Sequence, residues 1–294
     1  MKIAFFSADP GNHKFITPII EKLTQQGIET VLYNNWTIVE DATHYWFDFC
    51  DNNLIVATRE DKEHLKTKKV IARLHAVEYY MGFHNQIDWS CVDHLIFVSE
   101  HIKRMCNVQG VEQHVIHNGI DLDKLEFKER QNGFTIGYAG NIVPTKGILT
   151  MLNYFSELCM HDSRWNLKMV GLNRFHGREG EYYEHMKNKL PIEESGEVAD
   201  INEWMDSIDY LWQPSYTESF SIIIGEAMAK GIKPLVNDFY GSKEIWMPEN
   251  IYKNFTEFFN IINSPYESGK YREFVSRYSL DNEMEKINAI LHSS

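Results

Sequence analysis

Cysteine is sparse and carries no pattern: Cys50, Cys91, Cys106 and Cys159 form neither a Cys-x-x-Cys pair nor a Cys/His metal spacing. That excludes a zinc-knuckle or disulfide-framework protein and predicts four reduced thiols. Long apolar runs are missing as well. The run at residues 3–6 is too short for a signal peptide, and none approaches the thickness of a bilayer. A cytoplasmic protein without a transmembrane segment is the expectation. Positive charge is in deficit, with 29 Lys and Arg against 42 Asp and Glu and a net charge of -13. No nucleic-acid partner is therefore expected, and an anionic bilayer is equally disfavoured. There is no repeat or low-complexity tract. The first loop, Asp9-Pro10-Gly11-Asn12, lacks the G-x-G-x-x-G spacing of a dinucleotide fingerprint.

What is present is enough chain for two domains, 294 residues with 43% hydrophobic and 24% charged side chains, a globular balance. An apolar strand at 2–7 is followed by a helical pattern through Phe15, Ile19, Ile20 and Leu23 that stops at Gly27. A strand at 28–33 and apolar runs at 54–57, 70–74, 94–98 and 114–116 then predict a parallel sheet with helices between. Ser99 reads as the N-cap of a helix over 99–105. A second series opens at 134–139, where GYAGNIVPTKGILTMLNYFSEL reads as strand, loop and helix. Residues 271–291 read as two helices. Sheets of this kind bind ligands at the carboxyl ends of their strands. His75 follows the strand KVIARL at that edge, either as a structural histidine or as a functional one. Lys146 lies next to a helix N-terminus, where a cation opposes the dipole; it points to solvent or meets an anion held there.

The second half is organised around residues 213–236, QPSYTESFSIIIGEAMAKGIKPLV. Pro214 and Ser215 break a strand, residues 219–230 read as a helix closed by Gly231, and Pro234 begins the next strand. Glu218 sits at the helix mouth. Glu226 lies two turns in among Ile222, Ile223, Ile224, Ala227 and Met228, so a buried carboxylate is expected. Either a core partner or ligand hydroxyls satisfy it.

Two glutamates eight residues apart, with Pro214, Ser215, Phe220, Ala227, Met228, Ala229, Gly231 and Pro234 around them, resemble the E-x7-E motif of retaining glycosyltransferases, above all glycosyltransferase family 4. The segment VIHNGIDLDKL resembles that family's interdomain connection. Its Asp121-Leu122-Asp123 falls in the linker and is assigned no metal. Lys146 matches the phosphate-binding Lys of a G-R-x-x-x-x-K-G pattern in which Asn141 replaces the usual Arg, and Arg174 or Arg178 could supply the missing charge. The resemblance implies an α/β GT-B fold, two Rossmann-like doubly wound parallel-sheet domains facing a cleft. It places an acceptor-side domain at 1–118 and a nucleotide-sugar domain at 119–294, with a last helix at about 280–291 returning to the first domain. It implies transfer of a sugar from a UDP- or GDP-sugar with retention, and neither metal nor cofactor. His75 and Glu218 would be catalytic. Gly140, Asn141, Lys146, Gly171, Val198, Ser219, Phe220, Ser221 and Glu226 would bind the donor, with Glu226 on the ribose. Gly11, Asn12 and Glu78 would stand on the acceptor side. The acceptor, whether saccharide, lipid or protein, stays open. The alternatives are a silent nucleotide-sugar-binding protein and a GT-B-type epimerase.

Overall fold

Strand β1, Lys2–Phe6, sends Ile3 and Phe5 to one face and Ala4 and Phe6 to the other, and both faces are buried. A strand apolar on both sides needs a covered parallel sheet. Five more strands supply it: β2, Glu29–Tyr33; β3, His44–Asp48; β4, Lys69–Leu74; β5, His94–Phe97; and β6, Glu112–Val115. Their order is β2-β1-β3-β4-β5-β6 and every pair is parallel. The helices between are α1, His13–Gln25; α2, Asn52–Glu60; α3, Lys62–Leu65; α4, Ala76–Tyr80; and α5, Glu100–Cys106.

The computed structural model describes residues 1–293, without the side chain of Asn12, and divides the chain into two units. The second unit is Leu122–Arg277. Its strands are β7, Thr135–Ala139; β8, Asn166–Val170; β9, Ile192–Glu194; β10, Tyr210–Gln213; β11, Lys233–Asn237; and β12, Ile251–Tyr252. They run in the order β12-β11-β10-β7-β8-β9, again all parallel. Its helices are α6, Ile148–His161; α7, Gly177–Lys187; α8, Ile201–Met205; α9, Ile222–Ala229; α10, Ser242–Ile245; α11, Phe255–Ile262; and α12, Ser268–Val275.

Helix α13, Leu280–Leu291, belongs to the first unit, which comprises Met1–Asp121 and the stretch from Tyr278 onward. Leu280, Met284, Ile287, Ile290 and Leu291 pack on Ile3, Phe5, Trp46, Ile71 and Ile96. The join is made by backbone: Ile120 N–H donates to Tyr278 O at 2.8 Å, and Leu280 N–H to Ile120 O at 2.9 Å. The unit boundary therefore lies after Asp121, just past the expected 118. No helix among the described residues is long and apolar enough to cross a membrane.

Three local expectations are corrected. Residues 54–57 lie in α2 and not in a strand, because the Asp51 side chain accepts from Asn53 N–H and caps a helix there. The strand next to β1 is instead the aromatic His44–Asp48. Ser99 stands at the N-cap of α5, yet its side chain makes no cap bond; Glu100 in the first turn complements the dipole. The helix expected over 219–230 begins only at Ile222, since Ser221 takes a left-handed conformation with φ 67°.

Candidate functional site

In the second sheet β7 and β10 are neighbours although β8 and β9 come between them in the chain, with β8 and β9 on one side and β11 and β12 on the other, so the chain reverses direction of winding there. The carboxyl ends of those two strands border the crevice where such sheets bind ligands. After β7 the loop turns at Gly140 (φ 150°), whose N–H donates to Val170 O at 2.9 Å. A Cβ on Gly171 would stand 1.9 Å from Gly140 O, so only glycine lets the ends of β7 and β8 approach this closely. Tyr138 OH holds the loop by donating to Asn141 O at 2.7 Å. Gly171 N–H donates to Gly196 O at 2.7 Å, which brings the segment before half-buried Val198 alongside. Arg174 N–H donates to Ile142 O at 3.0 Å, so the exposed Arg174 starts from the residue pair next to Asn141. Arg178 is exposed on α7.

Lys146 ends a 3₁₀ turn, Pro144–Lys146, and Gly147 leads into α6 with no side-chain cap. A Cβ on Gly147 would meet Pro214 O at 2.1 Å, so the start of α6 lies hard against the end of β10. Across that contact the Lys146 ammonium is ion-paired with the Glu218 carboxylate. Gln213 Nε2 donates to the same Glu218 oxygen at 2.7 Å and to Ser215 Oγ at 3.0 Å. Glu218 is thus fixed in place while Lys146 keeps 32% of its side chain exposed.

The Phe220 ring is wholly buried against Trp246, centroids 5.0 Å apart, and Phe220 O accepts from Trp246 Nε1 at 3.0 Å. Phe220 therefore anchors the loop, and Ser219 and Ser221 are the half-buried residues on either side of it. Glu226 is half-buried, not buried as expected: α9 turns Ile224, Ala227 and Met228 inward while Ile222, Ile223 and Glu226 share the less covered face. Beyond β11, Gly241 (φ 89°) lies in a hollow lined by Asp238, Tyr240, Ser242, Lys243 and Glu244.

In the first unit the corresponding edge holds a buried polar cluster. His75, at the end of β4, is 4% exposed and stacked on Phe49 at 4.0 Å, with the edge of Phe15 at 5.5 Å. Phe49 itself has φ 67°, a strained backbone for a bulky residue. The His75 Nε2 has no hydrogen-bond partner among the described residues and lies 4.0 Å from Asp48 Oδ1. Burial, reinforced by the Arg73 charge, holds its pKa well below the usual histidine value, so the ring is neutral. Glu78, expected on the acceptor side, is turned inward: it accepts from His75 N–H at 3.1 Å and Cys50 N–H at 3.0 Å. Burial pushes its carboxyl up to about 7. Gly11 is exposed in a 3₁₀ turn, where its N–H donates to Asp9 Oδ1 at 2.9 Å; the side chain of Asn12 lies outside the described residues.

Sequence reasoning missed Arg73. It is buried, donates to Asp48 Oδ1 at 2.5 Å, to Glu283 Oε1 at 3.0 Å and to Phe15 O at 2.8 Å. Asp48 and Arg73 face each other in strand register, and Glu283 arrives from α13. The available signal was one charged residue inside an apolar strand.

Residues 120–257 match the family described as glycosyl transferases group 1. They form a glycosyl transferases group 1 domain. Within that domain fall Lys146, Glu218 and Glu226, while His75 and Glu78 precede it. Over its whole length the chain resembles HepE of Anabaena, solved in complex with UDP: 17% identity, TM-score 0.78, 100% of both chains covered. It is also similar to sucrose-phosphate synthase from Thermosynechococcus elongatus, at 13% identity and TM-score 0.79, covering 99% and 98%. A lipopolysaccharide outer core galactosyltransferase, WaaB, gives 13% identity and TM-score 0.71 over 99% of each chain. Such likeness establishes the fold: α/β, two Rossmann-like doubly wound parallel-sheet domains of the GT-B type. Against TarM, at 14% identity and TM-score 0.65, 85% of the chain aligns and spans 55% of that protein. A sequence search of curated proteins finds no match.

Proposed function

We propose that the chain moves a sugar from a UDP- or GDP-sugar to an acceptor, retaining anomeric configuration and using no metal. The observation that carries this reading is the Lys146–Glu218 pair at the start of α6, beside the ends of β7 and β10. A diphosphate is drawn to the helix N-terminus and to Lys146. Lys146 then exchanges a carboxylate for a phosphate, and Glu218, still held by Gln213, accepts from the hydroxyls of the donor sugar. As the bond from sugar to phosphate breaks, negative charge grows on the leaving diphosphate, which Lys146 and the α6 N–H groups stabilise more than they do the ground state. Gly140, Asn141 and Gly171 let the backbone approach the diphosphate, Arg174 supplies the charge that Asn141 lacks, Val198 borders the base, and Glu226 accepts from the ribose. Ser219 and Ser221 add hydroxyls. His75, neutral and with an unpartnered Nε2, contacts the sugar.

UDP is the first nucleotide to try, because HepE structures contain UDP and UDP-glucose. The free thiols suit a reducing cytoplasm. A silent nucleotide-sugar binder is the second reading, favoured by Asn141 at the position of an Arg.

The test is release of nucleoside diphosphate from a panel of nucleotide sugars, with and without saccharide, lipid and protein acceptors. Turnover that survives EDTA is expected. Binding by calorimetry without turnover selects the silent binder, and EDTA inhibition reversed by Mn2+ overturns metal independence. Lys146→Ala should weaken UDP binding by about 1.5–3 kcal/mol. Unchanged affinity would make Lys146 merely the partner of Glu218. A double-mutant cycle with Glu218→Gln separates the lost phosphate contact from the carboxylate left facing the anion.

A further inference from the structure

At the amino edge of the first sheet, away from the strand ends that carry His75, three metal-ligating side chains converge. His94 opens β5 directly opposite Glu112, which opens β6, and His114 stands two residues along β6, so the period of two puts all three on one face. His94 Nδ1 is 3.1 Å from His114 Nε2 and 3.5 Å from Glu112 Oε2, and His114 Nε2 is 3.5 Å from Glu112 Oε1. The carboxylate therefore straddles the two rings at a distance too long for a good hydrogen bond. Tetrahedral coordination with bonds of about 2.0–2.1 Å spaces its ligand atoms by roughly 3.3–3.4 Å, close to all three separations.

His94 is held from behind. Ser293 Oγ lies 2.8 Å from Ile290 O, 3.1 Å from Lys69 Nζ and 3.2 Å from His94 Nε2, so with its hydroxyl proton on Ile290 O it accepts from His94 Nε2–H. In that tautomer the Nδ1 lone pair faces His114 and Glu112. An outer hydrogen bond of this kind is what orients a ligating imidazole. Burial holds both rings below their usual pKa against the opposing pull of the Glu112 carboxylate.

We propose that His94, His114 and Glu112 form a site for a divalent transition metal of the zinc class, completed by water. Two imidazoles and one carboxylate suit Zn2+ better than Ca2+ or Mg2+, which prefer oxygen. The ion ties the edge strand β6 to β5, and through Ser293 to the end of α13. It lies at the opposite strand ends of the first sheet from His75 and takes no part in sugar transfer.

The test titrates the chelator-stripped full chain with Zn2+ in competition with a chromogenic chelator, and with Co2+ followed by its visible absorption. One equivalent of Zn2+ per chain, a tetrahedral Co2+ spectrum and a raised melting temperature are expected. Glu112→Gln, an exposed change at a sheet edge, should weaken Zn2+ binding at least tenfold, and His114→Ala should abolish it. Ser293→Ala should cost about 10–100-fold. Absence of stoichiometric Zn2+ binding, or affinity unchanged in both Glu112→Gln and His114→Ala, overturns the site.

Discussion

Glu78 is the residue whose chemistry the fold changes most visibly. Its carboxyl is raised from 4.5 to about 7 because burial disfavours the charge, and two backbone donors only partly offset this. The folded state then binds more protons than the unfolded one between those two values. The stabilising contribution is full below about 4.5 and is lost as pH rises through about 7. Replacing Glu78 by Gln keeps an acceptor oxygen and removes the titration. Relative to the native chain, Glu78→Gln should therefore gain on the order of 2–3 kcal/mol between pH of about 5 and about 8. Urea midpoints at several pH values measure it, and parallel curves for the two proteins would refute it. Glu283, also raised to about 7 by burial against the pull of Arg73, adds a background slope in the same direction to both proteins. The sequence announced Lys146 and Glu218 through spacing, since a motif places residues along the chain. It misplaced Glu78, because three residues after His75 is the third position of a helix, where a Glu folds back onto the cap N–H groups. Arg73, His94 and His114 find their partners across strands, which no local pattern records.

At the scale of elements, the loops that enter α6 and α9 carry opposite backbone errands. Gly147 adopts φ 69° with no room for a side chain, whereas Ser221 adopts φ 67° despite having one. Gly147→Ala should cost more than about 1 kcal/mol and weaken UDP binding, because the 2.1 Å approach to Pro214 O must open and carry Lys146 away from Glu218. Ser221→Gly should stabilise by roughly 0.5–1 kcal/mol through relief of strain. If the Ser221 hydroxyl serves the donor, the same change also lowers UDP affinity. Thermal melts with and without UDP read both arms; a stabilised variant with native affinity would remove Ser221 from the site. Most strands were legible because both-face burial makes them plain apolar runs. Residues 54–57 were misread for the same reason, a short apolar run being equally a buried helix turn once Asp51 caps it.

At the scale of the molecule, the first unit is built from two separated pieces of chain. The buried side chains of Leu280, Met284, Ile287, Ile290 and Leu291, at roughly 1.5–3 kcal/mol each, supply about 10 kcal/mol, comparable with the 5–15 kcal/mol stability of a whole domain. Cutting the chain after Arg277 also leaves Arg73 without Glu283. The truncated protein should lose the melting transition of the first unit while the second unit still melts cooperatively and binds UDP, as calorimetry would record. Two retained transitions would show that α13 is dispensable. The division also sets an order of events during synthesis. All the core residues of Leu122–Arg277 have been synthesised before the first α13 residue is made, so the unit begun first is completed last. Until then one face of its sheet, with the Arg73 guanidinium at its edge, is exposed for the whole time that the second unit is translated. A nascent chain of this design needs a chaperone or fast translation more than its finished stability would indicate.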